Sequence, residues 1–400
     1  MPGRERWLVP VTEYAGVTAY TGGIGRHYAA LVPALARRGI DVDLLVFSDS
    51  ALIRETDDPG VTLRGVRIGR RVPRIIALPL MALRVRRAFA ARTYDRVFAP
   101  EWSGLGAALP SRAPLLTNLA TSMRLSNEVA HLGPRDLPPS TRLAVAVQNG
   151  LEDRQIRRST GLIAISQAMA RWTSGSFATL PPVRVVWNCI EVGHVESASR
   201  SADLPDRWPP SDGPIVLFLG RLERRKGIVD ALKAFAIVSA QVPSARLVLA
   251  GSSGDSRFEP DREELLGHLP AASRGQVAWL GHVGGDELFR GIRESTVTIC
   301  PSLWEGFGNV ALEVKSVGAP LVCTTGSGFD DFCTSGVDCL MVPPADPAAL
   351  ASAISRIIAD PALGAALGLA GQADVGRFAP DRIAADLTHA ADELLGTVRP

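Results

Sequence analysis

Short apolar runs alternate with helix-spaced stretches along most of the chain. Residues 7–11 form an apolar run that reads as a strand. A glycine-rich bend follows at 21–25, and residues 27–38 carry apolar side chains at helical spacing. Gly39 stops that helix ahead of 42–47, a second apolar run rich in branched residues. Strand, helix and strand in that order make one βαβ unit. The alternation continues with apolar runs at 96–99, 115–119 and 162–165 between helix-like stretches at 75–91 and 141–158. Strands so short and so uniformly apolar are buried on both faces, which predicts a parallel sheet covered by helices.

Around residues 199–214 the pattern gives way to polar residues, with prolines at 205, 209, 210 and 214. Beyond them the alternation restarts: strands at 215–219, 246–250, 277–280, 297–300 and 320–323, with helices between, the first at 229–242. The expected organisation is α/β with two Rossmann-like halves. Residues 1–200 form the first domain, 201–214 a linker and 215–376 the second domain. A terminal helix within 377–400 could cross back onto the first. Ligands of such sheets sit outside the carboxyl ends of the strands, so two facing halves would place a cleft between them.

Composition narrows the classes. A chain of 400 residues exceeds what one core usually serves, which agrees with two domains. Its 43 basic and 41 acidic residues leave a net charge of +2, no footprint for nucleic acid. The five cysteines form no C-x-x-C pair and read as reduced thiols of a cytosolic protein. No signal-peptide pattern opens the chain, and no uninterrupted apolar stretch of about eighteen residues reads as a spanning helix. Residues 70–92 interleave arginines with apolar side chains; a helix packed on the first sheet is favoured over a peripheral membrane contact.

Two segments carry chemistry. Directly after the 215–219 strand comes Gly220-Arg221-Leu222-Glu223-Arg224-Arg225-Lys226-Gly227. Two glycines let backbone approach an anion, Arg221 offers a planar fork, and Lys226 adds a point charge, a set that suits a diphosphate. Alone, such a turn reads as a solvated basic loop. The second segment changes that balance: Glu305-Gly306-Phe307-Gly308-Asn309 follows the 297–300 strand, and Glu313 lies one turn into the next helix. Gly306 and Gly308 permit unusual dihedrals, and Asn309 can cap a helix whose amides and dipole face a phosphate. Carboxylates placed as Glu305 and Glu313 are can accept hydrogen bonds from sugar or ribose hydroxyls.

These segments resemble family 4 of the retaining glycosyltransferases of GT-B fold. Glu305 to Glu313 matches its E-x7-E motif, and Gly220 to Gly227 its G-R-L-x-x-x-K-G turn. Thr21 to Gly25 resembles its N-terminal glycine-rich loop, and 163–170, 186–195, 277–302 and 313–344 follow further family segments, most densely after Pro214. The resemblance implies two Rossmann-like domains facing a central cleft and transfer from a nucleoside-diphosphate sugar to an acceptor hydroxyl with retention. It implies that Arg221 and Lys226 bind the diphosphate, Glu313 the ribose and Glu305 the sugar. Gly220, Gly306, Phe307, Gly308 and Asn309 would line the donor, with Gly23 near the diphosphate from the other domain. No metal-binding motif and no clustered Cys/His set occurs in the sequence, so neither metal nor cofactor is expected.

Some positions depart from the family pattern. The run Pro114 to Ala120 ends in alanine where a histidine is frequent; Cys189 replaces a glycine, Glu191 an aspartate, and Asp330-Asp331 stand near a usual proline-glutamate pair. His27 reads as a surface or packing histidine rather than an acceptor contact. UDP is the first expectation for the donor and GDP the next. Only three of the 43 basic residues are lysine, as in a GC-rich bacterial genome, so a natural-product, glycolipid or cell-envelope acceptor fits. The rival readings are a nucleotide-sugar epimerase of the same architecture and a non-catalytic nucleotide-sugar-binding partner of another transferase.

Overall fold

The computed structural model describes residues 4–19, 21–53, 58–69, 71–210, 212–254 and 259–396. Arg70, Ser211 of the expected linker and the tail 397–400 lie outside the described residues. The chain divides into two compact units, 1–190 with 378–400, and 191–377.

The first unit holds seven strands, β1 (Arg6–Val11), β2 (Asp41–Ser48), β3 (Val61–Arg67), β4 (Arg96–Pro100), β5 (Leu115–Leu119), β6 (Gly161–Ala164) and β7 (Val183–Val185). All neighbours pair in parallel, in the order β3-β2-β1-β4-β5-β6-β7. Because side chains alternate across a strand, β1 feeds both faces. Trp7, Val9 and Val11 pack with Tyr28, Leu31 and Leu35 of the Gly23–Arg37 helix. Leu8 instead joins Leu78, Met81 and Val85 of the Arg74–Ala90 helix. That helix therefore covers the first sheet, as its apolar spacing predicts. The Pro380–Leu395 helix adds Ile383, Leu387 and Ala391 to the first face, and Asp381 accepts from Arg37 Nε at 2.9 Å.

The second unit repeats the plan with β8 (Ile215–Leu219), β9 (Arg246–Ala250), β10 (Val277–Gly281), β11 (Val297–Cys300), β12 (Leu321–Thr324) and β13 (Leu340–Val342). The order is β10-β9-β8-β11-β12-β13, again parallel. Val216, Phe218, Leu247 and Leu249 form its core with Phe235 of the Ile228–Gln241 helix and with Leu350 and Ile354 of the Pro347–Ala359 helix.

Three strands were not among those expected: β3, β7 and β13. Each is an edge strand, and β3 carries Arg64 and Arg67 on a half-exposed ribbon, so the apolar signal is diluted. Residues 192–201, read as the end of the first domain running into a polar linker, instead form a helix belonging to the second unit. It buries Val195, Ala198 and Ser199, and His194 Nε2 lies 2.9 Å from Asp286 Oδ1 on the Gly285–Glu294 helix. Small buried residues gave that helix a weak hydrophobic pattern. Among the described residues no single helix is long and apolar enough to cross a membrane.

Candidate functional site

In the second sheet the winding direction reverses between β8 and β11: β9 and β10 lie on one side, β12 and β13 on the other. The carboxyl ends of the two strands at such a reversal are the usual ligand position of an open α/β sheet, here the candidate crevice. Gly220 to Gly227 leaves β8, and Pro301 to Gly308 leaves β11. Backbone contact locks the two turns together. Gly227 has φ +73°, and a Cβ there would lie 1.9 Å from Pro301 O; Leu303 N donates to Arg225 O at 2.9 Å. Only glycine satisfies both the dihedral and the approach.

Charged side chains from both turns meet at this point. Lys226 Nζ donates to Glu305 Oε1, which also accepts from Ser302 Oγ at 2.7 Å. Both members of the ion pair are largely buried, at 19% and 15% side-chain exposure. Burial pulls the Lys226 ammonium below its ordinary pKa, opposed by Glu305. For Glu305 burial pushes upward, but Lys226, Arg225 and the two hydrogen bonds outweigh it and hold the carboxyl below the usual range. Arg221 bonds Glu223 Oε1 at 2.7 Å, and Arg225 Nε bonds Glu223 Oε2 at 2.8 Å. One buried carboxylate thus fixes two guanidinium groups. Arg221, Arg225 and Lys226 against Glu223 and Glu305 leave a net charge of +1 (three minus two).

Past Glu305 the chain turns through Gly306 and Gly308 into the Asn309–Val317 helix. Asn309 was expected to cap it. Gly308 takes that position instead, in the left-handed region at φ +104°, and Asn309 is the first helical residue. No side-chain bond caps this helix at Gly308, and this N-terminus is the positive end of the helix dipole. The Phe307 ring is buried and stacks on Phe332 at 4.8 Å, so only its backbone can serve a ligand. A Cβ on Gly308 would meet the Phe329 ring at 2.2 Å. Gly328 N donates to Glu305 O at 2.9 Å, so the loop after β12 backs the bend. Glu313 is buried one turn into the helix. It bears on the same spot as Glu305: burial raises the Cys300 thiol at the end of β11, both glutamates add to that rise, and Lys226 opposes it.

Arg221, Lys226, Glu305, Gly220, Gly306, Phe307, Gly308, Asn309 and Glu313 are therefore all found on the two turns or the helix that follows. Gly23 belongs to the other unit, as the first residue of the Gly23–Arg37 helix. The preceding residue, Gly22, donates its amide to Glu13 Oε2. Glu13 was not singled out, since an isolated glutamate beyond a strand gives no periodic signal. His27 is buried and edge-on to Tyr28; Cys189 N donates to its Nδ1 at 3.1 Å. Burial lowers its pKa to about 3, so it is a neutral packing residue at physiological pH. Cys189 is therefore its partner, with Sγ 3.4 Å from Nδ1.

Sequence reading also passed over Glu223, Arg225 and Ser302. Glu223 sits in a run of basic residues, and that isolated opposite charge at the centre was the available signal. The sequence shows no clustered cysteines, yet the fold gathers Cys323, Cys333 and Cys339, whose sulfur atoms all lie within 4.8 Å of one another. They come from β12, the loop after it and the residue before β13, and strand pairing closes a distance that the sequence leaves open.

Known proteins resemble this chain along most of its length. Residues 21–194 match the family described as Glycosyltransferase Family 4, and residues 213–360 the one described as Glycosyl transferases group 1. The chain is 30% identical to D-inositol 3-phosphate glycosyltransferase of Acidothermus cellulolyticus, over 89% of this chain and 82% of that protein. Sucrose-phosphate synthase of Thermosynechococcus elongatus superposes with a TM-score of 0.78 at 24% identity, covering 98% of this chain and 99% of that one. The Anabaena protein Alr3699/HepE, solved with UDP, gives 0.63 at 20% identity, covering 97% and 100%. Such likenesses establish the GT-B fold with its two Rossmann-like parallel sheets. Taken with the curated relative, they make this chain a member of the family 4, or group 1, glycosyltransferases, an enzyme of the hexosyltransferase type.

Proposed function

We propose that the chain is a retaining glycosyltransferase that moves a sugar from a nucleoside-diphosphate donor, UDP first and GDP next, to an acceptor hydroxyl. The observation that carries this reading is the meeting of Arg221, Arg225, Lys226 and Glu305 with the uncapped helix end at Gly308, all at the ends of β8 and β11. In the reaction the bond from the anomeric carbon to the β-phosphate oxygen breaks, and a bond to the acceptor oxygen forms on the same face. The acceptor's proton passes to the departing phosphate oxygen. Negative charge grows on that phosphate as the bond lengthens. Lys226, Arg221 and the helix dipole are preorganised to stabilise it, the type of contribution that dominates many transferases.

Glu305 has two tasks on this reading: it holds Lys226 in place while the site is empty and accepts hydroxyls of the donor sugar when it is filled. Glu313 is assigned the ribose, and the amides of Gly306, Phe307, Gly308 and Asn309 the sugar and phosphate. The acceptor class favoured is a small polyol, natural product or lipid-linked glycan of a bacterial cell. The five free, buried cysteines suit a reducing compartment such as the cytosol.

The test is a panel of nucleotide sugars with candidate acceptors, read by nucleoside diphosphate release and by the anomeric coupling of the product. UDP or GDP release that depends on acceptor, with the donor's anomeric configuration kept, is expected. An inverted product would overturn retention. Conversion of the donor to an epimer without acceptor would replace the reading with an epimerase.

A further inference from the structure

Outside the crevice, the second unit contains a group of side chains with no part in the chemistry above. Cys323 ends within β12, Cys333 follows the turn at Gly328–Asp331, and Cys339 precedes β13. All three are buried, none forms a disulfide, and every pair of their sulfurs lies within 4.8 Å. Tetrahedral zinc with bonds of about 2.3 Å sets its thiolate sulfurs roughly 3.8 Å apart, so three converging thiols at this spacing need only small rotations to share an ion.

A buried ion pair and a tight turn surround the three thiols. Lys315 is buried at 1% side-chain exposure and donates from Nζ to Phe332 O and to Asp338 Oδ2, the latter at 2.9 Å. Those acceptors flank Cys333 and Cys339 in sequence, so the Lys315 ammonium, paired with the Asp338 carboxylate, stands beside the cluster. The connecting segment is a tight knuckle. Gly336 sits at φ +78° and donates to Cys339 O at 2.8 Å, Thr334 N donates to Asp338 Oδ1 at 2.8 Å, and Met341 N donates to Ser335 Oγ at 2.9 Å. Such bonds hold Cys333 and Cys339 in fixed relation before any ion arrives. Above them residues 334–337 are exposed, which leaves one thin turn between the cluster and water.

We propose that Cys323, Cys333 and Cys339 form a thiolate site for a soft divalent ion, zinc foremost, that ties β12 and β13 to the knuckle between them. Binding releases the thiol protons to solvent and places metal–sulfur bonds in their stead. Solvent is the available fourth donor, since both Asp338 carboxylate oxygens are taken by Lys315 Nζ and Thr334 N. The ion is structural: it fastens the loop whose Gly328 and Phe329 back the Gly306–Gly308 bend.

Cobalt titration of the full chain, reduced and treated with chelator, tests this directly. One equivalent should generate a thiolate-to-cobalt charge-transfer band, which one equivalent of zinc should abolish while raising the melting temperature by several degrees. Cys333→Ser and Cys339→Ser should lose the band, and Cys189→Ser, altered in the other unit, should keep it. Absence of any band or zinc-dependent shift in the folded wild-type chain would overturn the site, whatever the variants do. So would an equal response in the cluster variants and in Cys189→Ser, or a wild-type protein whose mass shows a disulfide among the three and no metal.

Discussion

The two units wind their sheets alike and load the switch points with opposite chemistry. In the first unit the reversal lies between β1 and β4. Beyond β4 stands Glu101, fully buried, its pKa pushed well up by burial and then by Glu152. Glu152 itself is raised to about 7, mainly by burial, although it accepts from Gln148 and from the amides of Ser103 and Met123. His27, on the Gly23–Arg37 helix that follows β1, is buried and neutral. In the second unit the corresponding strand ends hold Lys226 and Glu305 as a charged pair with two arginines beside them. The same topology thus supports proton-retaining groups in one place and permanent charges in the other. Sheet winding decides where a ligand can sit, and the side chains decide which ligand that is.

The comparison breaks most sharply at Lys226. Lys226→Ala should lower kcat by roughly a hundred- to a thousand-fold in the folded protein, if charge there stabilises the leaving phosphate. Near-normal turnover would reduce the second switch point to a structural ion pair. Next in size is the pH dependence of the first unit. Glu152 ionises near 4.5 when unfolded and near 7 when folded, so the unfolded chain is favoured as pH rises between those values. Stability should fall by about 3 kcal/mol over that window, and Glu101 acts in the same direction. Denaturant melts of Glu152→Gln should show a flatter pH slope than wild type; parallel slopes would disprove the buried-acid account.

Gly308→Ala should cost about 2 kcal/mol, from the positive φ and the approach to Phe329, and should weaken donor binding together with stability. Unchanged melting would mean that the bend relaxes freely. The smallest effect concerns His27. Its imidazole resonances should stay flat between about pH 5 and 8, because the ring is already neutral. A titration step in that range would place His27 in contact with water and remove the contrast between the units.

Much of this was readable in the chain, and the limits have physical causes. Strands β5, β8, β9 and β11 match their apolar runs residue for residue, since buried parallel strands leave an uninterrupted signal. Edge strands such as β13 did not, since three residues are too few to show a period. The crevice was legible because its groups lie close in sequence to glycines with a mechanical purpose. Glu223 and Ser302 were not, as their importance consists of what they hold, and holding is a property of three-dimensional neighbours. The cysteine cluster was invisible for the same reason: parallel pairing of β12 with β13 brings together thiols that sequence spacing alone leaves unrelated.

The contact between Gly227 and the Pro301 carbonyl also constrains how this enzyme can be altered. With room there for a hydrogen and nothing larger, the turns after β8 and β11 behave as one piece of backbone. Grafting a foreign sequence into either turn alone would displace the other. Attempts to retarget the pocket should therefore exchange both turns as a cassette, and a library that varies only one will be dominated by chains that no longer assemble it.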